Sequence, residues 1–170
     1  TNLPNRRFLE ELIKREFSLI RRYGQETVII ILDIDDFKTI NDTYGHPVGD
    51  SILKQLAALL KNNVRETDTV SRFGGEEFII FMPNTTLENG QAFADRLRKL
   101  IMEKSFPVGS LTLQITCSFG VSSLADIADQ TIEDYYTLAD QALYLAKERG
   151  KNRVEIACGT EKVVTRIKQQ

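Results

Sequence analysis

An α+β sandwich, with a central, mostly antiparallel sheet of five strands surrounded by helices, is the fold class the sequence predicts. Apolar runs of strand character alternate with amphipathic segments of helical period, and the middle of the chain holds a hairpin between two of them. The 42% hydrophobic and 27% charged residues in a chain of 170 fit one soluble globular domain with a single sizeable core.

Between Phe8 and Tyr23, the residues Phe8, Leu9, Leu12, Ile13, Phe17, Leu19 and Ile20 recur at helical spacing among charges, and Pro4 suits a helix start just upstream. Thr27 to Ile34 is β-branched and continuously apolar, the pattern of a strand buried on both faces, and it runs into Asp33-Ile34-Asp35-Asp36. The polar segment from Asp33 to Asp50 reads as a site-like loop leading into a second helix. That helix, Val48 to Val64, carries the apolar stripe Ile52, Leu53, Leu56, Leu59 and Leu60. Strand-like Thr69 to Phe73 and Phe78 to Met82 flank Gly74-Gly75-Glu76-Glu77, where glycine is expected to supply the positive φ of a tight turn. A helix over Ala92 to Met102, a strand over Leu111 to Ser122, a helix over Ile132 to Arg149 and a short strand over Arg153 to Ile156 complete the order expected for a ferredoxin-like sheet. Residues 1–157 are expected to form the domain, and 158–170 a polar tail, either a frayed terminus or a poorly ordered helix.

A formal charge of −2 gives no basic excess of the kind nucleic-acid binding favours, so phosphate contacts must come from local placement. Cys117 and Cys158 are far apart and in no metal-ligand or redox spacing, which fits a reducing cytoplasm and argues against a zinc site or disulfide framework. The aliphatic run Val28 to Leu32 is too short to span a bilayer, and the polar start is not a signal peptide. A soluble, cytoplasmic domain without membrane contact is expected. The absence of an initiator methionine suggests excision from a longer protein, whose anchoring the fragment does not reveal.

The chemistry begins with carboxylates. Asp33 ends an apolar strand, while Glu76 and Glu77 sit on a hairpin that the sheet can bring beside it. Converging acids are unfavourable unless a cation or proton intervenes, and oxygen ligands beside a phosphate substrate favour Mg²⁺ or Mn²⁺. The competing interpretation is solvated turn acids. Asn41 and Asp50 suit a guanine edge, since an amide offers donor and acceptor while a carboxylate accepts from ring N–H and exocyclic amine. Asx-turn and helix-cap duty compete for the same residues. His46, the chain's single histidine, has no neighbouring histidine or cysteine for a transition-metal site and reads as a substrate-side or loop-ordering residue.

With Gly74-Gly75-Glu76-Glu77-Phe78 as a GGEEF signature, the chain resembles the GGDEF family of diguanylate cyclase domains. The resemblance runs from Asn2 to Val154 through Leu3-Pro4-Asn5-Arg6-Arg7, the segment Asp33 to Asp50, Ser118-Phe119-Gly120-Val121, Ala139-Asp140-Gln141-Ala142-Leu143-Tyr144, Ala146-Lys147 and Gly150-Lys151-Asn152. It implies a palm-like, nucleotidyl-cyclase-like fold and a half-site enzyme. Two domains, each holding one GTP, would meet in a transient or enforced homodimer and form cyclic di-GMP and two pyrophosphates. It further implies that Asp33, the Ile34 carbonyl and Glu76 hold the metal ions, and that Glu77 is a proton acceptor or a further metal ligand. Lys38 would stabilise phosphate charge, joined by the backbone at Asp36 and Phe37 and by Lys147 and Lys151. At Lys151 many relatives carry arginine, so a planar fork is replaced by a point charge. Asn41, His46 and Asp50 match nucleotide-contacting positions, with Asn41 and Asp50 on guanine.

Arg65-Glu66-Thr67-Asp68 stands where the family places an RxxD product-inhibition motif, with Arg96 matching a secondary arginine. Arginine suits this duty because it stacks on guanine and forks onto N7 and O6. A local helix-end ion pair is the alternative for Arg65 and Asp68. For the whole chain, the alternative is a catalytically silent module that binds GTP or cyclic di-GMP as a regulatory ligand.

Overall fold

Eight consecutive buried residues, Thr27–Ile34, place strand β1 at the centre of the sheet. The structure, a computed structural model, describes residues 1, 3, 4, 6–123 and 132–157. Helix α1 (Arg6–Tyr23) precedes β1, and α2 (Phe37–Tyr44), α3 (His46–Asn63), β2 (Thr69–Arg72), β3 (Glu77–Pro83) and α4 (Leu87–Glu103) follow it. The chain continues through β4 (Phe106–Val108), β5 (Leu111–Leu113), β6 (Cys117–Ser123), α5 (Ile132–Glu148) and β7 (Val154–Ala157). Among the described residues no helix is long and apolar enough to cross a membrane.

The main sheet has the order β2-β3-β1-β6-β7, antiparallel throughout except for the parallel pair β6–β7. Its core, β1-α3-β2-β3-α4-β6, is a ferredoxin-like βαββαβ unit, so the expected mostly antiparallel five-stranded sheet is present. Side chains alternate along β1. Val28, Ile30, Leu32 and Ile34 join Leu56 and Leu60 of α3 and Leu97 and Ile101 of α4 in one core cluster. Ile29 and Ile31 join Leu9 and Ile13 of α1 and Ala139 and Leu143 of α5 in the other. Asp33 has the parity of Ile29 and Ile31, and so belongs to the face that α5 covers.

Three sequence expectations need correction. The segment expected as a loop after Asp33 contains a helix, α2, because Phe37 is buried and Ile40 packs against the core one turn later. The single strand expected over Leu111 to Ser122 is two: β5 pairs with β4 as a separate hairpin, and 114–116 lead from it to β6, whose register with β1 is extended by the Asp35 amide donating to the Thr116 carbonyl at 2.9 Å. Helix α4 starts at Leu87 rather than near Ala92, since the Thr86 side chain caps it by accepting the Asn89 amide at 3.2 Å. The proposed tail, 158–170, lies outside the described residues.

Candidate active site

The ladder brings the predicted acids together. Asp33 is the direct cross-strand partner of Glu77 and, on its other side, of Ser118. Like charges directly opposite one another destabilise a sheet. Burial, reinforced by the nearby carboxylates of Glu76 and Glu77, pushes the Asp33 carboxyl up to about 6. Lys147, in the last turn of α5, opposes that rise with its ammonium 2.8 Å from Asp33 Oδ1. The strand end therefore concentrates negative charge with one lysine set against it.

The signature turn is shaped differently from expectation. Neither Gly74 nor Gly75 is among the left-handed residues, so no positive φ is needed there. Gly74 instead sits close to the Glu77 side chain: a Cβ would stand 2.8 Å from Glu77 Oε2, the flexible end of that carboxylate. Phe73 and Gly74 amides both donate to the Glu77 carbonyl, at 2.9 and 3.4 Å. Arg72 fastens the tip, donating through Nε and a terminal nitrogen to the carbonyls of Gly74 and Gly75 at 2.6 to 3.2 Å. Sequence reasoning missed this clamp, although Arg72 stands two residues before the glycines.

The Asp33-Ile34-Asp35-Asp36 cluster divides its labour. Asp33 faces Glu77 of β3; Asp35 is buried and hydrogen-bonded within the fold. Asp36 adopts left-handed backbone (φ 54°) at the start of α2, and its Oδ1 accepts from Lys151 Nζ at 2.6 Å. That hydrogen bond pulls the Lys151 ammonium above its ordinary pKa. Phe37 is anchored in the core, whereas Lys38 is exposed one residue later on α2.

Asn41 lies within α2 and Asp50 within α3, with Asn41 Oδ1 resting against Gly49, where any Cβ would displace it. Neither side chain caps a helix: Asp36 and Gly45 hold the two N-cap positions, without side-chain cap bonds. His46 is exposed at the first residue of α3.

Away from this cluster, Asp68 is buried and its Oδ2 accepts the Arg65 amide at 2.9 Å, while the Asp68 amide donates to the Arg65 carbonyl at 3.1 Å. Asp68 holds the backbone of Arg65, and among the described residues the two side chains form no ion pair. The exposed Arg96 reaches the same helix end, donating to the Asn63 carbonyl at 3.4 Å and lying over Phe93 at 5.1 Å. Arg96 thus reaches from α4 to the end of α3, two residues before Arg65.

A divalent cation fits the donor set. Asp33, Glu76 and the Ile34 carbonyl supply only oxygen, which suits Mg²⁺ or Mn²⁺. Among the described residues no group of three or more histidine, cysteine, aspartate or glutamate side chains gathers tightly enough to hold a metal alone. A cation here would therefore complete its shell with the carbonyl, water and substrate oxygens, as Mg²⁺ usually does.

The family profile described as diguanylate cyclase, GGDEF domain, matches residues 1–153. Diguanylate cyclase DgcP of Pseudomonas aeruginosa is 41% identical over 157 residues, covering 92% of this chain and 23% of the relative. The active GGEEF domain of a diguanylate cyclase from Vibrio cholerae superposes with a TM-score of 0.85 at 39% identity, covering 92% of this chain and 98% of that one. The GGDEF domain of DgcB from Caulobacter crescentus in complex with c-di-GMP gives 0.86 at 28% identity, with coverage of 92% on each chain. The chain spans 23% to 43% of the length of the curated relatives it matches. On the profile match and these similarities, the chain belongs to the GGDEF family of diguanylate cyclase domains.

Proposed function

We propose that this domain condenses two GTP molecules into cyclic di-GMP, releasing two pyrophosphates, when two copies meet face to face. The observation that carries this reading is the pairing of Asp33 with Glu77 across the ladder, with Lys147 against Asp33. Asp33, Glu76 and the Ile34 carbonyl would hold Mg²⁺ or Mn²⁺, which when bound neutralises phosphate charge and acidifies the attacking hydroxyl. Asn41 and Asp50 orient guanine, and His46 borders the nucleotide. Lys38, Lys147, Lys151 and the backbone at Asp36 and Phe37 hold the phosphates. Each 3′-oxygen forms a bond to the partner nucleotide's α-phosphorus as the bond to pyrophosphate breaks, and the hydroxyl proton passes to Glu77. Because each domain positions one nucleotide, ring closure requires both copies and an enforced dimer should outpace the free domain.

Arg65, Asp68 and Arg96 form the proposed inhibitory site, with Asp68 fixing the backbone from which Arg65 projects. Substituting Arg65→Ala is expected to leave the initial rate unchanged and to remove inhibition by added cyclic di-GMP, measured as the concentration that halves the rate. Undiminished inhibition would refute this assignment. The reaction itself is tested by chromatographic product analysis with GTP and Mg²⁺, with and without a fused dimerising helix. Cyclic di-GMP formed faster by the fused protein supports the proposal; no product from either protein contradicts it.

A further inference from the structure

Asp35 stands two residues beyond Asp33, yet it turns its carboxylate into the fold. Thr116 Oγ1 donates to Asp35 Oδ2 at 2.6 Å and Ser118 Oγ to Oδ1 at 2.7 Å, while the Asn152 amide donates to Oδ2 at 3.0 Å. With the Asp35 amide on the Thr116 carbonyl, one buried residue ties the end of β1 to the start of β6 and to the turn between α5 and β7. Charged acceptors make the stronger hydrogen bonds, so this junction is among the firmest near the site.

The turn it holds is strained. Gly150, Lys151 and Asn152 have φ of 110°, 61° and 45°, and the latter two carry side chains in the left-handed region. Such backbone persists only where its surroundings hold it. Here the Asp35 carboxylate takes the Asn152 amide, the Ala146 carbonyl takes the Lys151 amide at 3.0 Å, and Arg98 donates to Asn152 Oδ1 at 3.1 Å. The outcome is a lysine whose ammonium meets Asp36, the residue next to Asp35. Two chain segments 115 residues apart, each proposed to touch phosphate, are thus fixed at one separation through Asp35.

We propose that Asp35 is a positioning residue for triphosphate recognition: it sets the Lys151 turn against the start of α2 and so fixes the spacing between their phosphate contacts. This rests on the reading that Lys151 and the backbone at Asp36 meet the phosphates. The role differs from general support of the fold because its loss should weaken recognition of a triphosphate more than that of a nucleotide with one phosphate.

The test compares two ligands by calorimetry in Mg²⁺: a GTP analogue with an uncleavable α–β bridge, and GMP, which lacks the outer phosphates. Asp35→Asn is expected to shrink the preference for the analogue by about tenfold, with the Kd for GMP changed less than about twofold. Thr116→Val, which removes one donor and keeps the shape, is expected to shrink it by about threefold. Thermal unfolding of each variant establishes that it is folded at the assay temperature, and if Asp35→Asn is not, Thr116→Val decides. An unchanged preference in the folded variants, or equal weakening of both ligands, overturns the proposal. Wild-type protein that does not prefer the analogue overturns the phosphate site itself, and this inference with it.

Discussion

Replacing Glu77 with glutamine is expected to abolish cyclic di-GMP formation, by about a hundredfold or more, while making the metal-free protein more stable. The first effect follows from the role proposed for Glu77 as proton acceptor, since such a group commonly contributes a factor of about 10²–10⁴. The second follows from the ladder: Glu77 faces Asp33 directly, and relieving a like-charge cross-strand pair is worth about 0.5 kcal/mol. Glutamine preserves the side-chain length beside Gly74, so the turn has no steric reason to change. Product analysis and thermal unfolding without metal read the two effects separately. A variant that turns over normally refutes the role of Glu77, and one that merely unfolds earlier shows that Glu77 supports structure instead.

Substituting Lys147→Met is expected to move metal and nucleotide binding in opposite directions. Lys147 is the cation against Asp33, and its ammonium occupies an oxygen that a metal would use. Its removal should tighten Mn²⁺ binding in the absence of nucleotide several-fold, and weaken binding of an uncleavable GTP analogue about tenfold through loss of a charge-assisted phosphate contact. Stability of the metal-free variant should fall by about 1 kcal/mol at pH 7.5, a modest loss because Lys147 is 38% exposed. Paramagnetic resonance of free Mn²⁺ and calorimetry with the analogue read the opposed shifts. Equal weakening of both ligands would assign Lys147 to structure alone.

The burial of Asp33, only partly offset by Lys147, gives a pH dependence. The folded-state pKa of Asp33 is raised to about 6 from an ordinary 3.8, so the folded protein holds this proton more tightly than the unfolded chain. The associated stability is fully present below about pH 4 and is lost as pH rises through 6, at most roughly 3 kcal/mol from this group. A divalent cation, which binds the ionised carboxylate, should offset that loss and bind progressively better across the same interval. Thermal unfolding from pH 4 to 7, with and without Mg²⁺, should show the two curves diverging as pH rises. Curves that stay parallel would place the cation elsewhere.

Much of this was legible in the sequence, for identifiable reasons. The unbroken β-branched run from Thr27 announces a doubly buried strand because nothing polar interrupts it, and the glycine pair marks the hairpin that delivers Glu76 and Glu77. Helix α2 escaped notice because Asp36, Lys38, Asn41 and Asp42 mask an apolar pattern of only Phe37 and Ile40. The split between β5 and β6 was hidden because Gln114-Ile115-Thr116 alternates like a strand, whereas β5 pairs with β4 in a hairpin separate from the main sheet. Among the acids, composition alone cannot separate Asp33 from Asp35, since both point to the same face. Their different surroundings come from Ser118, Thr116 and Asn152, which are more than 80 residues away in the chain. The grip of Arg72 on the signature turn is invisible for a different reason: it depends on carbonyl directions, which side-chain identities do not encode.

Anomalous diffraction from crystals grown with Mn²⁺ and an uncleavable GTP analogue would locate the cation and the triphosphate at the end of β1. Manganese is expected on Asp33, Glu76 and the Ile34 carbonyl, with triphosphate oxygens completing the shell and Lys147 moved from Asp33 to phosphate. Manganese bound elsewhere, with Lys147 still on Asp33 and the triphosphate away from this strand end, would contradict it.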